Sequence, residues 1–250
     1  MEGTFNPFSL LGKRILVTGA SSGIGQSIAI SCSKMGATLI ISGRNEERLH
    51  STFSALSGEG HLALAGDLTQ ENVLNQIIGA LPLLDGIVHC AGIGHCKPCK
   101  LINKQDLDEV MSINFNASVL LQSVLLSAKK IKNNASIVFV ASRAACSPSM
   151  GNAVYSASKG AIISYARCLA LEVASRFIRV NCICPAMIWT DLILKGGLTK
   201  EDLEQAQLKY PLKRYGTPED VANLAIYLLS EASSWMTGSN IDLTGGANNL

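Results

Sequence analysis

Tyr155 and Lys159 stand four residues apart in Tyr155-Ser156-Ala157-Ser158-Lys159. If that stretch is helical, both side chains leave the same face one turn apart. A phenol holds its proton too tightly to trade it near neutral pH, and a neighbouring ammonium stabilises the phenolate. The pair therefore carries the chemistry of a general acid/base. Such pairs also occur on plain helix surfaces, so the pattern needs a companion. One lies upstream, where Thr18-Gly19-Ala20-Ser21-Ser22-Gly23-Ile24-Gly25 follows the apolar run Arg14-Ile15-Leu16-Val17 and precedes a helical pattern. Gly19, Gly23 and Gly25 let a backbone approach a pyrophosphate closely. The helix start behind them offers free N–H groups and partial positive charge. A glycine turn alone is common, but one set between the first strand and first helix of an α/β chain points to a dinucleotide.

The second apolar run ends Ser42-Gly43-Arg44, with Arg44 nineteen residues beyond Gly25. An Asp or Glu here would accept hydrogen bonds from both ribose hydroxyls and repel a 2′-phosphate. None is present, and Arg44 can pair with that phosphate. The expectation is NADP ahead of NAD; the plainer alternative is a solvated arginine leading into the next helix.

These residues need a scaffold to bring them together. Apolar runs at 14–18, 38–42, 61–65, 86–89, 136–140, 178–183 and 240–243 read as buried strands. Helical patterns cover 23–35, 46–56, a stretch across Val73 and Ile77, one long helix over 106–131, then 154–174, and a last helix opened by Pro218. The alternation gives an α/β fold: a single-domain Rossmann fold over 1–250, its doubly wound parallel seven-stranded sheet covered by helices on both faces. Residues 187–214 break the pattern with one short amphipathic helix near 200–210, and form a candidate substrate lid.

The glycine turn, then Asn114, Ser142 and Tyr155-x-x-x-Lys159 in that order, resembles the short-chain dehydrogenase/reductase family over 12–246. The resemblance implies cofactor contacts from Ser21, Ser22 and Ile24 beside the glycines. It implies more at Asp67 and Leu68 on the adenine side, at Ala91-Gly92, and at Pro185, Ala186, Ile188 and Thr190 around the nicotinamide carboxamide. It also implies the catalytic roles. Tyr155 gives a proton to the reacting oxygen, and Ser142, thirteen residues earlier, orients that oxygen. Lys159 assists the tyrosine and holds the nicotinamide ribose, while Asn114 kinks its helix and holds a relay water. The implied activity is hydride transfer between a nicotinamide cofactor, NADPH favoured, and a carbonyl or secondary alcohol. Many members of this form reduce 3-oxoacyl groups on acyl carrier protein. The family is usually tetrameric, with helices 106–131 and 154–174 at one interface. A catalytically silent NADP-binding regulator is the rival from another class, and the four filled catalytic positions argue against it. A sugar-nucleotide epimerase or dehydratase shares the Tyr/Lys pair but uses a different glycine spacing and a longer substrate domain.

The chain departs from the family pattern at four places: His89-Cys90-Ala91-Gly92 for Asn-Asn-Ala-Gly, Pro185-Ala186 for Pro-Gly, Thr244-Gly245-Gly246 for Asp-Gly-Gly, and the loop Gly94-His95-Cys96-Lys97-Pro98-Cys99. In that loop Cys96, Cys99 and His95 suggest a metal, but a tetrahedral site needs further ligands and no second pair stands ready. No metal is expected, and His95 is expected at the active-site rim. Cys146, Met150, Met187, Trp189, Ile193 and Leu194, placed near the site by the resemblance, are mostly apolar and favour a neutral carbonyl. Arg176 matches one basic position at which carrier-protein reductases dock their partner, but Asn133 stands where a second arginine is expected.

Composition narrows the classes further. Across 250 residues, 48% are hydrophobic and only 16% charged, with a net charge of +2. That excludes a disordered chain and a nucleic-acid footprint. The densest basic stretch, Lys129-Lys130-Ile131-Lys132, reads as a helix end, where cations complement the dipole. No run of eighteen apolar residues suggests a membrane span, and residues 1–10 lack a signal-peptide pattern, so a cytoplasmic location is expected. The eight cysteines mostly sit in strand or helix patterns and read as buried reduced thiols.

Overall fold

The first strand, β1 (Arg14–Thr18), sends Leu16 to one face of the sheet and Ile15 and Val17 to the other, and all three are fully buried. A strand apolar on both faces requires helices on both sides, and the whole fold follows from that demand. It is seen in a computed structural model that describes residues 6–194 and 199–247. Lid residues 195–198, the first five residues of the N-terminal stretch 1–10, and the last three residues lie outside those described.

Six further strands join β1 in one parallel sheet: β2 (Thr38–Gly43), β3 (Leu62–Ala65), β4 (Leu84–His89), β5 (Ile131–Val140), β6 (Arg179–Pro185) and β7 (Asn240–Leu243). Their order is β3-β2-β1-β4-β5-β6-β7. One helical layer holds α1 (Gly23–Lys34), α2 (Glu46–Ser54) and α9 (Pro218–Leu229), where Ile28, Leu49, Val221 and Leu229 pack on Val17, Ile41 and Val138. The other holds α3 (Glu71–Ala80), α4 (Lys104–Met111), α5 (Ala117–Ser127) and α6 (Ala153–Val173). There Ile77, Leu121, Ile162 and Leu169 meet Leu16, Ile87, Ile137 and Val180. Chain order reverses between β1 and β4, which opens a crevice at the carboxyl ends of the strands. The expected turn, ribose, loop and carboxamide residues all follow the carboxyl ends of β1, β2, β4 and β6.

The single helix expected over 106–131 is corrected. The structure has α4, then a π-helical turn at Ser112–Asn116, then α5, which ends at Ser127. Lys129 adopts a left-handed φ of 54°, and the Lys130 N–H reaches back to Leu125 O at 2.9 Å. This six-to-one bond closes the helix end, and the chain turns into β5 at Ile131. The run Lys104–Ser127 is long and apolar enough to cross a membrane by length and composition. In this fold Leu121 and Leu125 sit in the core beneath the sheet. The lid carries a four-residue turn, α7 (Asp191–Leu194), and α8 (Lys200–Gln207), which ends three residues before the expected boundary. The thiol expectation is also corrected. Cys32, Cys182 and Cys184 are buried, but Cys96, Cys99, Cys146 and Cys168 are exposed, Cys168 on the outer face of α6.

Candidate active site

At two positions of the phosphate turn, Gly19 and Gly25, only glycine fits. Gly19 has a φ of 67°, and a Cβ there would lie 2.8 Å from the Ala91 backbone. A Cβ on Gly25 would overlap the Gly19 carbonyl. Thr18, buried at the end of β1, accepts the N–H groups of Cys90 and Ala91 at 3.1 and 3.3 Å, which locks the loop after β4 against the turn. Sequence reasoning placed Thr18 in the motif without giving it this task. Behind the turn, α1 has no acid in its first turn, and Ser22 makes no side-chain cap bond, so the helix start remains open to an anion. Ser21 packs beneath Gly43, and Arg44 follows it, exposed at the end of β2. Asp191, the acid opening α7, reaches Arg48 at 3.5 Å rather than Arg44. A cradle that a Cβ would fill, an acid-free helix start and a projecting guanidinium together fit a dinucleotide bearing a 2′-phosphate. Leu68 is buried, and Asp67 accepts the Thr69 N–H and hydroxyl at 3.0 and 2.8 Å. Ile24 packs on the core behind the turn. Thr190 comes within 3.2 Å of where a Cβ on Gly23 would lie, so the 185–190 segment closes over the turn.

Three of the four catalytic candidates, Asn114, Tyr155 and Lys159, meet where the π turn, α6 and the loop after β4 come together. Asn114 sits buried in the π turn, and its amide is committed on both sides. Oδ1 accepts the Ile93 N–H at 2.7 Å, while Nδ2 donates to Ile93 O at 3.0 Å and to Ser158 Oγ at 3.1 Å. Ser158 in turn donates a hydrogen bond from its hydroxyl to the Tyr155 carbonyl at 2.7 Å. This chain staples the start of α6 to the loop after β4; Ser158 and Ile93 were not singled out by the motif. Tyr155 lies in the first turn of α6, where the positive end of the helix favours negative charge. Lys159 is 6% exposed, donates to Val140 O at 2.9 Å, and places Nζ 5.9 Å from the centre of the Tyr155 ring. A Cβ on Gly92 would lie 3.4 Å from that Nζ and 3.2 Å from Asn114 Oδ1, so Gly92 lines the same junction. Ser142, just past β5, accepts the Ala144 N–H at 3.1 Å and keeps its hydroxyl proton for another acceptor.

Other expected contacts are redirected. His95 Nε2 faces Asp106 Oδ1 at 3.3 Å, and Lys97 pairs with the same carboxylate at 2.6 Å. The Lys97 ammonium, followed by the Asn103 N–H, holds the Asp106 carboxyl down at about 2. Cys96 packs against Gly151, and among the described residues no group of three or more His, Cys, Asp or Glu side chains is placed to hold an ion. Trp189 turns toward the lid helix, donating to Gln207 Oε1 at 3.1 Å. Arg176 is occupied by its own chain, through Asn133 Oδ1 at 3.1 Å and the Ile131 carbonyl. Cys146, Met150 and Leu194 are exposed.

His89, at a departure from the family pattern, is buried and stacked on Phe139 at 4.5 Å, with Nε2 against Gln122 Oε1 at 3.0 Å. Burial pushes its imidazole from 6.5 down to about 4. The folded state then holds the ring neutral while the unfolded chain takes up a proton. Its contribution is full above pH 6.5 and is lost as pH falls toward 4, amounting to about 3 kcal/mol. Unfolding free energies from pH 7.5 to 4 should therefore fall more steeply for the parent than for His89→Asn. Parallel curves would remove His89 as the cause.

With this geometry in place, comparison with known proteins is direct. A family model described as Enoyl-(Acyl carrier protein) reductase matches residues 19–248. The 3-oxoacyl-[acyl-carrier-protein] reductase FabG of Rickettsia felis is 36% identical over 237 residues, spanning 95% of this chain and 97% of the relative. The L-xylulose reductase of Caenorhabditis elegans is 33% identical over 248 residues, spanning 97% and 98%. Among solved structures, the L-sorbose reductase of Gluconobacter frateurii, complexed with NADPH and L-sorbose, is similar with a TM-score of 0.89 at 26% identity, covering 98% of this chain and all of that one.

Proposed function

The chain belongs to the short-chain dehydrogenase/reductase family, and from that premise we propose that it is an NADP-dependent oxidoreductase interconverting a carbonyl and a secondary alcohol, with Tyr155 as acid/base. The observation that carries the reading is the junction itself. Tyr155, Lys159, Asn114 and Gly92 meet beside a phosphate turn that leaves no room for a side chain at Gly19 or Gly25. A silent NADP-binding regulator of the same fold would need the phosphate turn but no acid/base at Tyr155.

NADPH, when bound, supplies the hydride. The Gly19–Gly25 turn takes the pyrophosphate, Arg44 the 2′-phosphate, Asp67 and Leu68 the adenine side, and 185–190 the nicotinamide end. Ser142, which accepts the Ala144 N–H, donates a hydrogen bond from its hydroxyl to the reacting oxygen and fixes its position. Tyr155 gives that oxygen its proton in reduction and takes it back in oxidation. The negative charge left on the phenol is stabilised by the start of α6 and by Lys159. Asn114 acts by position, since its amide is committed to Ile93 and Ser158, and solvent resupplies the proton to Tyr155. No metal enters this scheme.

For the substrate, we favour a free, neutral carbonyl compound admitted between Met187, Ile193 and the loop at 94–97. A 3-oxoacyl thioester on carrier protein is the second reading, and the internal bonds of Arg176 weigh against it. The exposed Leu107, Leu120 and Leu171, on α4, α5 and α6, support a homotetramer built through those helices. The deciding experiment follows NADPH absorbance at 340 nm with ketoses, simple ketones, and one 3-oxoacyl group offered both as a small thioester and on acyl carrier protein. Turnover of free compounds with no gain from the carrier supports the first reading. A strong gain from the carrier supports the second, and no turnover on any of them would revive the silent regulator.

A further inference from the structure

Trp189 lies in the segment assigned to the nicotinamide end, and its indole is held by the lid helix and by Tyr215. Nε1 donates to Gln207 Oε1 at 3.1 Å, and the same oxygen accepts the Tyr215 N–H at 3.3 Å. Gln207 is the last residue of α8, which is anchored in the protein by the buried Leu203. The indole packs at 5.4 Å on Tyr215, which meets Tyr210 edge-on at 5.0 Å. Tyr210 in turn places its phenol oxygen against the Met187 backbone N–H. Gly216 completes the support: it accepts the Trp189 N–H at 2.9 Å and donates to Met187 O at 3.0 Å, as a parallel bridge with Ile188.

We propose that Gln207 is a positioning residue for cofactor binding. It fastens the far end of the lid helix to Trp189 at the lid's root, and so sets the 185–190 strip on which the nicotinamide end rests. The inference rests on the reading that this strip holds the nicotinamide end. The physical reason is closure. Residues 189 and 207 bracket the whole excursion through α7 and α8, and one side-chain oxygen joins its two ends and Tyr215 as well. A half-buried indole N–H stripped of its acceptor must find another partner or remain unsatisfied. Either way Trp189 shifts, and its neighbours Ile188 and Thr190 shift with it. Gln207 touches none of Tyr155, Ser142 or Lys159, so the chemical step should be left nearly intact.

The test uses full-length protein in a Trp235→Phe background. Trp235 is fully exposed, and its removal leaves Trp189 as the only indole. NADPH binding is then followed through quenching of Trp189 emission by the bound nicotinamide. In Gln207→Leu the Kd for NADPH and its KM should rise about tenfold, with kcat changed less than about threefold and Trp189 emission shifted to the red. Gln207→Glu, which keeps an acceptor oxygen, should recover most of the affinity. If Gln207→Leu bound NADPH like the parent, or if Gln207→Glu were as impaired as Gln207→Leu, the proposal would be overturned. If Trp189 emission in the unmutated background ignored saturating NADPH while binding was evident by calorimetry, the placement of the strip would fall, and the proposal with it. A lower melting temperature at unchanged Kd would mark Gln207 as structural only, and that also overturns it.

Discussion

Tyr155→Phe should lower kcat by a factor of about 10² to 10⁴ while leaving the NADPH dissociation constant and the melting temperature close to those of the parent. The change deletes one oxygen and keeps the ring. Tyr155 is only partly buried, and the bond that fastens this turn of α6 runs through its backbone carbonyl to Ser158, not through the phenol. Packing therefore survives. What is lost is the proton donor for an oxygen that becomes strongly basic as hydride arrives, together with the group whose charge α6 and Lys159 were placed to stabilise. Lys159→Ala should differ in kind. Its ammonium is buried at the junction, bonded to Val140 O and close to Gly92, so its removal should weaken cofactor binding as well as rate. Single-turnover rates and NADPH titrations on both variants separate the two effects. Retention of more than about a tenth of the parent activity by Tyr155→Phe would remove Tyr155 as the acid/base.

The parts of this site that were legible in the sequence are those fixed by local backbone requirements. A glycine turn between strand and helix, or two side chains one helical turn apart, carries its geometry within a few residues. The phosphate turn and the Tyr155/Lys159 pair can therefore be placed from residue order alone. The strands were legible for a related reason, since burial on both faces leaves continuous apolar runs such as Ile15-Leu16-Val17. Contacts between residues distant in sequence were not legible. Nothing near Trp189 announces Gln207 as its partner, and nothing near Asn114 announces Ser158. The long helix misled because a π turn and a left-handed cap at Lys129 leave the apolar pattern unbroken. Cys168 misled because α6, exposed on one side, still carries apolar residues there, Leu171 among them.

Arg44→Ala should erase most of a preference for NADPH over NADH that is expected to be roughly ten- to a hundredfold in the parent. The argument starts from position. Arg44 follows β2 directly, next to Gly43, which packs on Ser21 of the phosphate turn, where the adenosine ribose of a dinucleotide is met. No carboxylate stands there to bind the free 2′-hydroxyl, so NADH gains nothing in exchange for the contact it lacks. A charge-assisted bond to a phosphate contributes about 1.5–3 kcal/mol, which converts to the stated ratio. Because Arg44 is exposed, the contact is open to screening, and the ratio should shrink as ionic strength rises from about 0.05 to 0.5 M. Loss of Arg44 should raise the Kd for NADPH and leave that for NADH nearly unchanged. That asymmetry separates loss of a phosphate contact from damage to the turn, which would weaken both cofactors together. Equal affinities for NADPH and NADH in the unmutated protein, measured at low salt, would show that Arg44 is a solvated residue leading into α2 and no more.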